Sequence, residues 1–177
     1  MAADVLRGIV LIGMPGAGKS TIGTGLAQRH GLPLVDTDRL IEREEGQSLQ
    51  AILDQRGYLA LRSIEERVLL ANNFTGKVVA TGGSAVYSTA AMAHLKCFGP
   101  CVFLDIPLAE ITARVQNLES RGIAGPPGLS LADVYAERLP LYRQYADIVV
   151  AGGGLDEQGL LLALEAALGL ECKDPSD

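Results

Sequence analysis

Short runs of aliphatic and β-branched residues alternate along the chain with longer segments whose apolar positions recur every three or four residues. The apolar runs cover residues 8–12, 32–35, 77–80, 101–106 and 147–151, and the amphipathic segments cover 20–30, 39–72, 88–95, 108–118 and 155–168. Five strand-then-helix alternations predict an α/β fold built on a five-stranded parallel sheet. Runs such as Ile9-Val10-Leu11-Ile12 and Val102-Phe103-Leu104 are apolar at every position, as a strand covered by helices on both faces requires. Right-handed crossovers follow from strand twist. In such sheets ligands bind beyond the carboxyl ends of the strands.

Two regions break the rhythm. Residues 37–73 have room for two or three helices beside the sheet, with Ser48 a candidate N-cap for residues 49–56 and Gly57 a candidate stop. Residues 119–130 carry Gly122, Gly125 and Gly128 around Pro126 and Pro127, too irregular for helix or strand, and are expected to form a mobile lid. The polar residues 172–177 are expected to fray.

Length and composition narrow the function. A chain of 177 residues, 48% hydrophobic and 20% charged, predicts one globular domain over residues 1–177. Fifteen Lys and Arg against 21 Asp and Glu leave a net charge of −6, the wrong sign for a protein that binds a phosphate backbone, and the absence of Trp removes the best base-stacking residue. No apolar run is long enough to span a bilayer. Residues 1–10 carry Asp4 and Arg7 and show no signal-peptide pattern, so a cytoplasmic protein is expected. Cys97, Cys101 and Cys172 lack the spacing of a redox or zinc pair and read as buried or incidental thiols.

The strongest chemical signal follows the first apolar run. Gly13-Met14-Pro15-Gly16-Ala17-Gly18-Lys19-Ser20-Thr21 fits G-x-x-x-x-G-K-[ST] between a strand and a helix. The backbone of Gly16, Ala17 and Gly18, with Lys19, Ser20 and Thr21, is expected to hold the phosphates of ATP or GTP, and the Ser20 hydroxyl to ligate Mg²⁺. No NKxD motif reads guanine, and the one DxxG string, Asp54 to Gly57, lies in a helical pattern. Phosphoryl transfer to a small molecule is the class that remains. After the second strand, Asp36 and Asp38 stand two apart and, in an extended segment, would face the same end of the sheet. One carboxylate can then serve the metal and the other can orient the acceptor hydroxyl, whereas a plainer reading makes Thr37 or Asp38 a helix cap.

Five segments in order resemble the shikimate kinase family: the phosphate loop; Asp36-Thr37-Asp38; Arg62 in Leu-Arg-Ser-Ile-Glu-Glu; Thr81-Gly82-Gly83-Ser84-Ala85-Val86; and Glu137-Arg138-Leu-Pro-Leu-Tyr142. The resemblance implies a nucleoside-monophosphate-kinase-like P-loop fold, ATP and Mg²⁺ as cofactors, and transfer of the γ-phosphoryl to the 3-hydroxyl of shikimate by a monomer. It implies that Asp36 serves the metal, that Asp38 binds and polarises the acceptor hydroxyl, and that Arg62 and Arg138 grip the acceptor carboxylate. Gly82 and Gly83 would lay backbone N–H groups against the acceptor, Arg114 would stack on adenine, and Arg121 of the lid would bridge phosphates and acceptor. Plainer readings pair Arg62 with Glu66 one helical turn on and leave Arg138 on the surface. Leu61 replaces the family's Phe, Ser84 its third glycine, and Arg121-Gly-Ile-Ala124 its R-P-L-L. These departures leave two alternatives open: a sister kinase for another small hydroxy acid such as homoserine, and a catalytically weak nucleotide-binding module.

Overall fold

A run of four aliphatic residues has no solvent-facing side, so Ile9–Ile12 takes the centre of the sheet, every residue sealed from solvent. In the computed structural model, which describes residues 8–115, 123 and 125–170, this run is β1. Strands β2 (Leu34–Asp36), β3 (Val78–Ala80), β4 (Cys101–Asp105) and β5 (Ile148–Ala151) join it in the order β2-β3-β1-β4-β5, every neighbouring pair parallel. The predicted five-stranded parallel α/β sheet is the one observed.

The register positions the site. Leu11 of β1 pairs with Ala80 of β3, and Ala80 pairs in turn with Asp36 of β2. Three strands therefore end level with one another, and the loops beginning at Gly13, Thr37 and Thr81 spring from one edge of the sheet. Because β3 and β4 flank β1 on opposite sides, that edge includes the crevice where successive connections diverge.

Seven helices follow among the described residues: α1 (Lys19–His30), α2 (Thr37–Glu45), α3 (Leu49–Ala71), α4 (Thr89–Lys96), α5 (Leu108–Arg114), α6 (Leu131–Tyr145) and α7 (Glu157–Ala167). Helix α1 packs against β1, β3 and α7, while α6 lies on β4. Ser48 caps α3 as expected, its hydroxyl accepting from the Ala51 N–H at 3.1 Å. Gly57 breaks α3 without ending the helical path: at φ 80° and ψ 169° it kinks the segment, and helix resumes toward Arg62. The kink lets one long connection serve as two helices at an angle.

Several boundaries differ from the sequence pattern for local reasons. Helix α7 begins two residues later than expected because Asp156 caps it, accepting from the Gly159 N–H at 2.7 Å. Strand β2 runs to Asp36, and α5 ends at Arg114 with Val115 at its C-cap. Residues 116–122 and 124, which include five of the twelve residues of the expected lid, lie outside the described residues, as does Cys172. Cys101 is buried in β4, and burial followed by the nearby Asp147 charge pushes its thiol up to about 12, which makes it inert; Cys97 is exposed. No described helix is long and apolar enough to cross a membrane.

Candidate active site

The phosphate loop bends as its glycines permit. Gly16 and Gly18 sit at φ 82° and 92°, and a Cβ on Gly16 would meet Val115 Cγ2 at 2.5 Å, so neither position accepts a side chain without strain. Lys19 opens α1 nearly buried, its Nζ donating to the carbonyls of Gly13 at 2.7 Å and Met14 at 2.8 Å. Burial lowers its pKa to about 8, the Asp38 charge opposing and the Arg138 charge assisting. A cavity of about 620 Å³ is lined by Gly16, Gly18, Lys19, Ser20, Asp36 and Asp38, with Ala17, Thr21 and Arg114 also on its wall, a volume suited to a nucleotide.

The oxygens expected to hold a divalent cation face one another. Ser20 Oγ donates to Asp36 Oδ2 at 2.5 Å. A hydroxyl and a carboxylate at the mouth of a phosphate loop are a hard oxygen set that fits Mg²⁺, whose remaining positions go to water and substrate phosphates. Among the described residues no cluster of three or more His, Cys, Asp and Glu could hold a metal elsewhere.

Asp36 is also the N-cap of α2: its Oδ1 accepts from the N–H of Asp38 at 3.0 Å and of Arg39 at 3.3 Å. Neither Thr37 nor Asp38 plays that part. Asp38 therefore lies in the first turn of a helix, not on an extended segment, and shares the cavity with Asp36 for that reason. Burial raises the Asp38 carboxyl to about 6, with the Asp36 charge adding and Lys19 opposing.

Gly82 departs from expectation. Its N–H donates to the buried Thr37 Oγ1 at 2.9 Å, so that donor ties two loops together and is turned away from an acceptor. What Gly82 contributes is space: a Cβ there would lie 2.5 Å from Asp38 Oδ1 and 2.6 Å from Glu65 Oε1. At Gly83 a Cβ would meet Arg138 Nη1 at 2.6 Å, and the Gly83 carbonyl accepts from the Tyr142 hydroxyl at 2.7 Å. Both intrusions strike the ends of functional side chains and spare the backbone. Gly82→Ala and Gly83→Ala should thus keep the thermal melting profile of the parent while raising acceptor KM by on the order of tenfold, the scale of a lost charged hydrogen bond. Steady-state kinetics beside a melting curve checks this, and a collapsed fold would contradict it.

The two arginines converge. Arg138 is only 1% exposed, not a surface residue, and its Nε donates to the Tyr87 hydroxyl at 3.3 Å. The Arg62 guanidinium lies 3.5 Å from the centre of the Tyr87 ring and Arg138 lies 5.3 Å from the same ring, within cation–π range. Glu66 accepts from the Ser88 hydroxyl, and Arg62 turns instead toward Tyr87, with Glu137 at 4.0 Å. A second cavity holds Asp38, Glu65, Gly83, Ser84 and Arg138 against Leu61 and Ile41.

Sequence reasoning passed over several of these groups. Glu65, three residues beyond Arg62 and hence on the same helical face, is buried and accepts from the Ser84 hydroxyl. Burial raises its carboxyl to about 7, the Ser84 hydrogen bond opposing and the Asp38 charge adding. Tyr87, whose hydroxyl also donates to Glu137, had no distinguishing signal, and Tyr142, stacked 5.2 Å from Phe103, closed one of the resembling segments without being given a role. Arg114 donates to the Gly16 carbonyl at 3.4 Å and pairs with Glu110 at 3.3 Å, beside the phosphate loop. Arg121 lies outside the described residues.

The family model described as shikimate kinase matches residues 15–166, from Pro15 of the phosphate loop past Tyr142 of α6. The chain belongs to the shikimate kinase family. It is 36% identical over 163 residues to the shikimate kinase of Aromatoleum aromaticum, covering 90% of this chain and 93% of that one. It is also 36% identical to the shikimate kinase of Tolumonas auensis, over 93% of this chain and 98% of the other. Among solved structures, the shikimate kinase from Acinetobacter baumannii in complex with shikimate superposes with a TM-score of 0.83 at 30% identity, covering 95% of this chain and 96% of that one. Kinase chemistry with ATP and Mg²⁺ follows from that membership, and the hydroxyl–carboxylate pair of Ser20 and Asp36 fits the metal.

Proposed function

We propose that this kinase transfers the γ-phosphoryl group of ATP to the 3-hydroxyl of shikimate. What supports the acceptor most directly is the junction of the two cavities: Asp38 and Gly83 line both the nucleotide cleft and the smaller cavity behind it, and the smaller one ends on the buried Arg138. A hydroxyl acceptor seated there meets a carboxylate at one end and a guanidinium at the other.

The roles follow from charge and position. Gly16, Ala17 and Gly18 shape the phosphate loop, Thr21 lines it, and Lys19 offsets the charge that builds on the transferring phosphoryl oxygens. Ser20 and Asp36 hold Mg²⁺, which when bound neutralises charge on the phosphate oxygens. Asp38 accepts a hydrogen bond from the acceptor hydroxyl and takes its proton as the new oxygen–phosphorus bond forms and the bond to the ADP oxygen breaks. Arg62 and Arg138 bind the acceptor carboxylate, and Gly82 and Gly83 leave room for the acceptor. Arg114 stacks on adenine, and Arg121 is assigned to the phosphates on the sequence resemblance. The enzyme is read as a cytoplasmic monomer with no nucleic-acid partner, the last supported by its net charge of −6.

The carboxylate is the part of this reading easiest to test. Converting the shikimate carboxylate to a carboxamide should cost at least tenfold in kcat/KM, since charged hydrogen bonds contribute about 1.5–3 kcal/mol. Arg62→Lys should raise the KM for shikimate and leave that for ATP unchanged, because an ammonium cannot reproduce a planar two-bond fork. Equal kinetics for acid and amide would point to a neutral acceptor.

A further inference from the structure

The two arginines assigned to the acceptor carboxylate are like charges brought close together. Arg62 comes from α3 and Arg138 from α6, and both helices pack on the turn at Ala85–Tyr87. Their guanidinium carbons lie 3.5 Å and 5.3 Å from the centre of one ring, that of Tyr87. The two cations therefore stand within about 10 Å of each other, inside the Debye length of a dilute buffer. Like charges at that separation repel, and a long side chain that is 21% exposed, as Arg62 is, has rotamers that point to water. Holding both guanidiniums on one target takes a third group.

Tyr87 offers each of them a different hold. Its ring face, the negative side of the aromatic quadrupole, lies under Arg62, and the ring of Tyr58, one helical turn earlier in α3, adds a second face at 5.1 Å. Its hydroxyl accepts from Arg138 Nε at 3.3 Å and donates to Glu137. Burial, followed by the Glu137 hydrogen bond, raises the pKa of that hydroxyl and keeps it a donor. Glu137 is a weaker hold on Arg62, since it is 4.0 Å away and its side chain is 47% exposed. The turn itself is fixed: the Tyr87 N–H donates to the Ser84 carbonyl at 3.0 Å, and Ser88 caps α4 by accepting from the Ala91 N–H at 3.0 Å. Tyr87 stands one residue beyond the resembling segment that ends at Val86, so the resemblance gives it no role.

We propose that Tyr87 is a positioning residue for acceptor recognition: its ring and its hydroxyl hold the Arg62 and Arg138 guanidiniums together, so that both engage one carboxylate. A guanidinium has donors only, so two of them aimed at one group reject an amide, whose NH₂ accepts nothing, more sharply than either does alone. The ring serves Arg62 and the hydroxyl serves Arg138, so substitution can separate the two. This inference rests on the shikimate reading and adds to it the group that sets the spacing of the carboxylate-binding pair.

The test measures kinetics with shikimate and its carboxamide in wild type, Tyr87→Phe and Tyr87→Leu, and repeats Tyr87→Leu in an Arg62→Ala background. Tyr87→Leu should raise the KM for shikimate by on the order of tenfold, the scale of a lost cation–π contact and a hydrogen bond to a charged group, with kcat and the KM for ATP within about twofold of wild type. It should also reduce the preference for acid over amide by about the same factor, whereas a general loosening of the fold would weaken both acceptors alike. Tyr87→Phe keeps the ring and should fall between wild type and Tyr87→Leu. In Arg62→Ala the ring has lost its cation, so adding Tyr87→Leu should cost no more than Tyr87→Phe costs the parent. If Tyr87→Leu melts below the assay temperature, Tyr87→Met, unbranched and of similar length, takes its place with the same expectations. An acid-to-amide preference as strong in Tyr87→Leu as in a discriminating wild type overturns this inference alone, as does a full tenfold cost in the Arg62→Ala background. A wild type that fails to phosphorylate shikimate, or that treats acid and amide equally, overturns the functional reading and this one with it.

Discussion

Lys19→Ala lowers the rate of phosphoryl transfer by about 10²-fold or more, the scale on which removal of a single preorganised charge-stabilising group is felt. The ammonium is nearly buried at the start of α1 and donates to the Gly13 and Met14 carbonyls, so it belongs to the same loop that cradles the phosphates. Among the described residues no other lysine lines the cavity. Circular dichroism should find the helices intact, because α1 keeps its remaining backbone hydrogen bonds. Turnover near the wild-type rate in Lys19→Ala would move the chemistry out of this cleft.

Asp38→Asn has an effect of similar size by a different route. An amide keeps the volume but cannot take the acceptor's proton, and a positioned general base contributes about 10²–10⁴-fold. The loss should fall on kcat, with little change in the KM for ATP. The same assignment sets the pH dependence. Asp38 must be ionised to act and its carboxyl is raised to about 6, so kcat/KM of the wild type rises with pH through that region. Lys19 must be protonated and its pKa is lowered to about 8, so the profile falls again above it. Glu65, raised to about 7 and coupled to Asp38, shares the acid limb, whose apparent midpoint belongs to the pair. Asp36→Asn should instead displace the Mg²⁺ dependence, through Ser20 and the metal. A displaced metal dependence in Asp38→Asn alone would exchange the two roles.

The fold was readable wherever one side of the argument was purely local. Ile9–Ile12 announced a central strand because no helix or half-exposed strand needs four consecutive aliphatic residues, and Gly13 to Thr21 announced the phosphate loop because its spacing serves one geometry. Asp36 and Asp38 were legible as chemistry but not as structure. The pattern of two residues apart suggested an extended segment, whereas Asp36 accepts two backbone N–H bonds and starts a helix beneath Asp38. Tyr87 was not legible, and Glu65 and Tyr142 stood in quoted segments without a role, since their contacts arise only when α3, the turn at Ala85–Tyr87 and α6 are packed together. Glu65 on a surface helix and Glu65 facing Asp38 read alike in sequence. Arg138 was named by resemblance, and only packing shows it to be buried against Tyr87.

The most direct test of the functional claim is the identity of the product. Phosphorus NMR of the wild-type enzyme with ATP, Mg²⁺ and shikimate should show the γ-phosphate signal replaced by a phosphomonoester that couples to the proton on carbon 3 of shikimate, with ADP formed in equal amount. Homoserine or gluconate in place of shikimate should give no comparable ester. Release of inorganic phosphate without an ester, or faster esterification of gluconate or homoserine than of shikimate, would contradict it.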